Sequence, residues 1–478
     1  MNFKIIFHTL GWVLNFEAAC MLLPLICAVT YNEPHSLTFI ACMAICLAAG
    51  VLLTFRTPKN KSIYAKEGFI IVALSWIALS IFGALPFVIS GAIPSFIDAW
   101  FETVSGFTTT GATILSDIEV LPKSILFWRS FTHWIGGMGV LVFLVAILPL
   151  AGGSNLYLIK AESPGPSVSK LVPKIKSTAK ILYGLYTLLS FAEVFFLLAG
   201  KIDLYEALTI TFGTAGTGGF AVKNSSIAEY SPYIQNVITI FMILFGINFS
   251  VYYLLLIRRF KEAVHSDELK AYLIIIAAST AVICFNSRHL FASLPDAVRH
   301  SAFQVASIIT TTGFATENFD KWPELSKTIL VTLMFIGACA GSTGGGIKVS
   351  RIVILLKSIS KELRITAHPK RIYKIKMNGR IIEHETVRSI NVFLVAYATI
   401  YVASMLLISI DNFGFTTNFT AVAATINNVG PGLELVGPTQ NFSIFSPLSK
   451  LVLVFDMLAG RLEIFPLLIL FSTYTWKK

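Results

Sequence analysis

The chain has 478 residues, 55% of them hydrophobic and 13% charged, with mean hydropathy +0.74 and a formal net charge of +11. That composition excludes the ordinary soluble class, and apolar runs of about twenty residues, instead of alternating strands of about ten, point to membrane helices and away from a barrel. The positive charge gathers in short loops between apolar runs, a topological pattern with attraction to anionic membrane lipid as a side effect, and it gives no support to nucleic-acid binding.

In chain order, residues 7–31 and 35–55 read as a helical pair. The first lacks a small-residue cleavage site after a short apolar core, so it is read as a retained span and not a signal peptide. Glu17 lies inside it, and an intramembrane carboxylate is a functional hypothesis by default; interhelical hydrogen bonding is the preferred reading. A basic loop with Arg56, Lys59, Lys61 and Lys66 follows. The six cysteines, Cys20, Cys27, Cys42, Cys46, Cys284 and Cys339, fall in apolar runs without metal or disulfide spacing and read as packing residues.

From about residue 67 a unit appears that returns three more times: an apolar outer helix, a short amphipathic run, a Gly-containing string and a second, inner helix. The strings are SGFTTTGAT at 105–113, TAGTGGFA at 214–221, IITTTGFAT at 308–316 and INNVGPG at 426–432. One TTTG string by itself is an ordinary turn, but four in register between apolar spans are a repeat. Each reads as a re-entrant pore helix followed by an extended loop, and four of them predict a pseudo-fourfold pore. A cation crossing a membrane exchanges its hydration shell for oxygens, and backbone carbonyls aimed at one axis replace that shell without adding fixed charge. Gly supplies the dihedrals and the close approach, and irregular backbone at membrane depth is tolerated only where protein buries it or a wet cavity solvates it. Aligned on the glycines, the ion-site residues are Thr109, Thr110 and Gly111; Thr217, Gly218 and Gly219; Thr311, Thr312 and Gly313; and Asn428, Val429 and Gly430. Gly218, Asn428 and Pro431 depart from the commoner residues of the pattern.

Repeat one, 63–160, has its outer helix at 67–90, a pore helix starting near Phe96 to Trp100 and an inner helix at 124–148. Gly136, Gly137 and Gly139 of that inner helix permit close packing, and Arg129 and His133, one turn apart, read as interfacial or polar-cluster residues. A second basic loop holds Lys160, Lys170, Lys174, Lys176 and Lys180. Repeat two, 161–262, has Glu193 in its outer helix, a pore helix near 203–213 and an inner helix near 233–257 carrying Gly246 and Asn248. Basic residues Arg258, Arg259, Lys261 and Lys270 follow. Repeat three, 263–360, departs from the others: FIGACAGSTGGGIKVSR puts Gly337, Gly341, Gly344, Gly345 and Gly346 within ten residues. Each Gly costs about 1 kcal/mol in a helix relative to Ala, so a break is predicted on the cytoplasmic side of the filter, with Gly341, Ser342, Thr343, Gly344, Gly345 and Gly346 able to obstruct the pore and move out of it. The string half-resembles a phosphate-binding loop, but Ile347 separates Gly346 from Lys348.

Eleven Lys and Arg residues from Lys348 to Arg388 form either a solvated linker or a docking face for a cytosolic subunit. The last unit, 361–478, has an outer helix near 388–410, a pore helix near 416–426 and an inner helix near 447–473. Arg461 lies in that helix near Asp456 and Glu463, either in a structural ion pair or, the preferred reading, as a fixed positive charge just inside the filter that raises the barrier for cations. Basic residues in every second loop, with Lys4 and the terminal Lys477 and Lys478, predict ten spans, both termini cytoplasmic and filter strings entering from outside.

The four strings, the GSTGGGIK break, the AGR string at Arg461 and the extra N-terminal pair, 1–62, together resemble the Trk/Ktr/HKT superfamily of cation transporters, most closely its bacterial TrkH/TrkG branch, over essentially the whole chain. The resemblance implies an all-α integral protein of the bacterial inner membrane that transports K+ and binds no organic cofactor. It further implies selectivity from Gly111, Gly219, Gly313 and Gly430, an intramembrane gating loop opposed by Arg461, a homodimer, and a cytosolic nucleotide-binding regulatory subunit resembling TrkA. Two functions follow: a gated potassium pathway, or a proton- or sodium-coupled potassium symporter on the same scaffold, for which Glu17, Glu193 and Glu463 are the inner-span carboxylates to nominate. A membrane enzyme is disfavoured, since no His, Cys and acid cluster recurs near one face.

Overall fold

The computed structural model describes residues 1–55, 58, 63–147 and 175–476. Of the expected basic residues, Arg56, Lys59, Lys61, Lys160, Lys170, Lys174, Lys477 and Lys478 lie outside the described residues, as does the boundary expected at 160. Among the described residues the regular structure is helical apart from one two-stranded antiparallel hairpin, Lys376–Met377 with Arg380–Ile381. The fold is that of an all-α membrane protein.

The N-terminal pair is Phe3–Cys20 with Leu22–Thr30, then Ser36–Thr54. It closes through small residues: a β-carbon on Gly11 would fall 2.6 Å from the carbonyl oxygen of Gly50, the close backbone approach that holds helices together where lipid removes the hydrophobic drive. Four units follow. Their outer helices are Ala65–Gly83 continued by Leu85–Ile89, Ile175–Ala199, Asp267–Ser287 and His384–Ile408, and their pore helices are Phe96–Phe107, Leu204–Gly216, Leu294–Ile309 and Phe415–Ile426. Only 22% of the apolar window is buried in Ser36–Thr54 and in Asp267–Leu290, and 28% in Ile181–Ala199 and in His384–Asp411, so these helices turn most of their apolar surface to lipid. The pore helices, by contrast, are buried along most of their length.

Six described helices are long and apolar enough to cross a membrane, and a bent pair makes a seventh. The expectation of ten spans also counts Lys123–Ile147 and the interrupted inner segments of repeats three and four. Two inner segments differ from the sequence reading. That of repeat two, expected as one helix, is Pro232–Phe245 and Phe249–Leu256 meeting at 88°. Asn248 accepts from the Ser250 amide at 2.8 Å and so starts the second helix as its cap. The Gly246 carbonyl accepts from Cys339 N, and Phe249 N donates to Gly341 O, both at 3.1 Å; chain from repeat three therefore fills the gap. In repeat four the inner helix, expected to reach 473, is Pro447–Arg461, with Phe465–Phe471 beyond it. Glu463 and Ile464 take positive φ of 54° and 69°. Pro466 lacks the N–H and crowds the carbonyl four residues back, which ends the helix there.

Repeat three breaks where its glycines predict: Glu324–Ile336 stops at Gly337, at φ 71°, and helical structure resumes at Val349–Ala367. That helix runs through the boundary expected at 360 and carries the first part of the basic stretch, whose exposed residues are called the basic face below. The boundary expected at 262 likewise falls inside a short helix, Phe260–Val264.

Candidate functional site

Three of the four pore helices begin on a sequence-legible cap: Ser95, Asp203 and Ser293 accept from the amides of Asp98, Glu206 and Asp296, with an acidic residue at the third helical position as in a capping box. Each helix ends where its filter string begins, so the negative end of its dipole adjoins the strings.

The strings adopt one shared conformation. Thr109, Thr217, Thr311 and Asn428 lie at φ 55°, 56°, 60° and 55°, and two residues on Gly111, Gly219, Gly313 and Gly430 lie at 82°, 75°, 83° and 98°. The residue between them sends its N–H back to its own pore helix with one geometry: Thr110 to Ser105 O, Gly218 to Gly213 O, Thr312 to Ser307 O and Val429 to Ala424 O, all 2.8 Å. The glycines close the four strings into a ring. A β-carbon on Gly111 would fall closer than 3.0 Å to the carbonyl oxygen of Gly218, one on Gly219 to that of Thr312, one on Gly313 to that of Val429, and one on Gly430 to that of Thr110, so each string leans on the next and the fourth returns to the first.

The carbonyl groups of this ring are unused. Among the described residues no hydrogen bond ends on the main-chain oxygens of Thr109, Thr110, Gly111, Thr217, Gly218, Gly219, Thr311, Thr312, Gly313, Asn428, Val429 or Gly430, although the Thr, Asn and Val members are 0% exposed. Buried carbonyls are otherwise almost always paired, and main-chain oxygens left free can in general replace the hydration shell of a cation.

Side chains brace the ring from behind. The hydroxyls of Thr108 and Thr110, and of Thr310 and Thr312, pair at 2.8 Å in both cases. Asn428 donates from Nδ2 to Thr110 Oγ1 and to Met457 O, each at 2.9 Å, tying repeat four to repeat one. The string exits are clipped to their pore helices: Glu102 accepts from Ile114 N at 2.9 Å and Thr113 Oγ1 at 2.8 Å, Gln304 from Thr316 N at 3.2 Å, and Thr420 from Leu433 N at 3.0 Å.

Arg129 is not interfacial. It is 2% exposed, its Nε donates to Glu102 at 2.7 Å, its Nη1 to Ala221 O at 3.1 Å, and its guanidinium lies 3.5 Å from the centre of the Phe220 ring, so it joins the exits of strings one and two. His133 is fully buried behind string two, Nδ1 on Gly106 O at 2.8 Å. Glu102 was missed in the sequence; its signal is the matching position of Gln304, each nine residues before its filter glycine. Replacing Arg129 with Met is expected to cost about 3–5 kcal/mol, because the Glu102 carboxylate stays buried without its partner. Thermal unfolding in detergent reads this, with Glu102→Gln added to Arg129→Met recovering part of the loss; an unchanged midpoint would contradict the pairing.

The break of repeat three lies against the ring. Gly345 N donates to Thr311 Oγ1 at 2.6 Å and Gly346 N to Asn427 O at 3.0 Å, seating the loop directly against strings three and four. Arg461 Nη1 donates to Thr343 O and its Nη2 to Gly136 O, both 2.8 Å. Asp456 accepts from Ser404 at 2.6 Å, and Glu463 pairs with Arg351. Two further residues hold the loop: Glu268, which went unread in the sequence, and Lys348, which the sequence reads as the start of the basic stretch but which is buried. Lys348 Nζ donates to Gly344 O and, at 3.2 Å, to Gly345 O. Glu268 accepts from Ala340 N at 2.6 Å and Ser350 N at 3.2 Å, clasping both ends of the loop. Of the three carboxylates nominated for coupling, Glu463 lies beside the loop's end through Arg351, while Glu17 and Glu193 stand elsewhere. Glu17 is buried against Gly83, where a β-carbon would meet its Oε1 at 2.9 Å, and Glu193 is buried in the outer helix of repeat two.

Comparison with known proteins places this arrangement. The family model TrkH, described as cation transport protein, matches residues 35–477. The chain is 37% identical to the Trk system potassium uptake protein TrkH of Escherichia coli strain K12, with all of both chains covered, and 33% identical to the TrkG protein of the same strain over 99% of each. The crystal structure of the potassium transporter TrkH from Vibrio parahaemolyticus superposes with a TM-score of 0.90 at 33% identity, covering both chains completely.

Proposed function

The chain belongs to the TrkH family of cation transport proteins, and from that membership we propose that it is the ion-translocating subunit of a Trk-type potassium-uptake system, passing K+ through the carbonyl ring under control of the repeat-three loop. The observation that carries this reading is the set of buried, unpaired main-chain oxygens in four interlocked strings. Oxygens of this kind suit a partly dehydrated monovalent cation, which needs oxygen ligands and no fixed charge. Thr109, Thr110, Gly111, Thr217, Gly218, Gly219, Thr311, Thr312, Gly313, Asn428, Val429 and Gly430 are the ion-site residues of this proposal. Gly341 to Gly346 with Arg461 are its gate, because that loop lies against strings three and four and is held there by polar contacts that can be broken. The basic face is cytoplasmic in this reading, by the rule that Lys and Arg accumulate inside, and the membrane is the bacterial inner membrane with both termini on the cytoplasmic side. A second copy of the chain and a nucleotide-binding subunit resembling TrkA, docked on the basic face, complete the assembly.

The test is flux of rubidium against sodium from purified protein in proteoliposomes. Rubidium uptake well above sodium, with a reversal potential that follows potassium alone, is the expected result. A reversal potential that moves with pH or sodium would favour the symporter instead, and equal rubidium and sodium flux would defeat the ion-site assignment.

A further inference from the structure

String two lacks side chains that its relatives have. Where repeats one and three place the hydroxyl pairs Thr108 with Thr110 and Thr310 with Thr312, each at 2.8 Å, repeat two has Gly216 and Gly218. The backbone of Gly218 nevertheless keeps the shared geometry, its N–H on Gly213 O at 2.8 Å. Bare Gly at such a position has more conformational freedom than Thr, so something outside the string restrains it.

That restraint is His133, from the inner helix of repeat one. A β-carbon on Gly218 would lie closer than 3.0 Å to three atoms of its imidazole, Nδ1, Cε1 and Cγ, and one on Gly216 closer than 3.0 Å to the His133 carbonyl oxygen. The ring therefore fills the space that the hydroxyl pair occupies in strings one and three. It is fixed in turn on two sides. Nδ1 lies 2.8 Å from Gly106 O, and since a carbonyl only accepts, Nδ1 carries the proton; the imidazole also lies 4.1 Å from the Phe220 ring, centre to centre. Gly106 is the last turn of pore helix one and Phe220 follows Gly219, so the single side chain spans the end of one pore helix and the string of the next repeat.

We infer that His133 is a positioning residue for ion selection: it supplies from a neighbouring repeat the lateral support that string two lacks, and Gly218 is glycine because His133 occupies its side-chain space. The inference rests on the proposed ion-site reading of the ring and assigns a role within it. It also accounts for the departure of string two from the Thr-Thr-Gly pattern without any loss of fourfold backbone geometry.

A double-mutant cycle tests it in proteoliposomes, with the rubidium-to-sodium flux ratio as readout and the thermal midpoint in detergent measured alongside. Gly218→Thr alone drives a side chain into the imidazole, and His133→Ala alone frees the string; each is expected to lower the flux ratio by about tenfold, while the two together restore it to within about threefold of the parent, a non-additivity of the size seen for residues in direct contact. His133→Asn, which keeps an N–H near Gly106 O, is expected to retain more discrimination than His133→Ala. Should the Thr variant fail to purify, Gly218→Ala replaces it, since its β-carbon meets the same ring.

Additive losses overturn the role, as does a His133→Ala protein with a lowered midpoint and an unchanged flux ratio, which would make His133 a packing residue only. Gly313→Ser is the separate arm for the underlying reading. If it leaves the ratio intact, the ion-site assignment itself falls, whereas a lowered ratio there beside an additive cycle removes His133 alone.

Discussion

Gly313→Ser is expected to reduce rubidium-over-sodium discrimination at least tenfold while leaving the protein folded. Two effects add. Gly313 sits at φ 83°, a conformation that costs an L-residue on the order of 1–2 kcal/mol. Its new β-carbon would also press on the carbonyl oxygen of Val429, one of the unpaired oxygens, and turn that dipole away from the common axis. About 1.4 kcal/mol of differential ion binding is a factor of ten, so misdirecting one carbonyl of the ring suffices. Gly430→Ser is expected to act in the same direction but more weakly, because its β-carbon would meet Thr110 O at 2.8 Å, the loosest of the four approaches. Gly91→Ser is the control: it carries similar dihedral strain at φ 76° with nothing within 4 Å, so it should lower stability slightly and leave discrimination unchanged. Unaltered discrimination in Gly313→Ser would remove string three from the ion path.

Arg461→Gln is expected to raise basal rubidium flux, without any partner subunit, by about a hundredfold. The guanidinium ties Thr343 O of the loop to Gly136 O of the repeat-one inner helix, each at 2.8 Å. Hydrogen bonds to a charged group contribute about 1.5–3 kcal/mol apiece, and bonds present only when the loop is seated shift the seated-to-open balance by their full sum. Shortening Gly341–Gly346 is expected to raise flux further, since it also removes the contacts of Gly345 N with Thr311 and of Gly346 N with Asn427. Lys348 continues to hold Gly344 O and Gly345 O in Arg461→Gln, which is why the single substitution does not release the loop entirely. Equal basal flux in parent and shortened protein would reject the loop as a gate.

Much of this architecture is legible in the residues because membrane insertion leaves few choices. Backbone polar groups in lipid must be satisfied within a segment, so long apolar runs are helices and Gly-rich interruptions between them are breaks. The four strings announce themselves by repetition, the pore helices by the amphipathic runs before them, and the repeat-three break by its glycines. The alignment on Gly111, Gly219, Gly313 and Gly430 needs no structure either, since only those positions carry Gly in all four strings.

Tertiary structure alone decided the partners of polar side chains and the course of the other inner segments. The 88° bend at Gly246 to Asn248 arises because Cys339 N and Gly341 O of a distant repeat supply the hydrogen bonds that the broken turn gives up. Arg461 donates to carbonyls more than a hundred residues away in sequence, Thr343 O of the repeat-three loop and Gly136 O within the repeat-one inner helix, a choice that only the packing of these elements decides. Glu102 with Arg129, and His133 with Gly218, are likewise pairings between elements that the chain order separates. Local pattern specifies which segments are helix, string or break; it carries no information on which unpaired donor meets which unpaired oxygen once four units close on themselves.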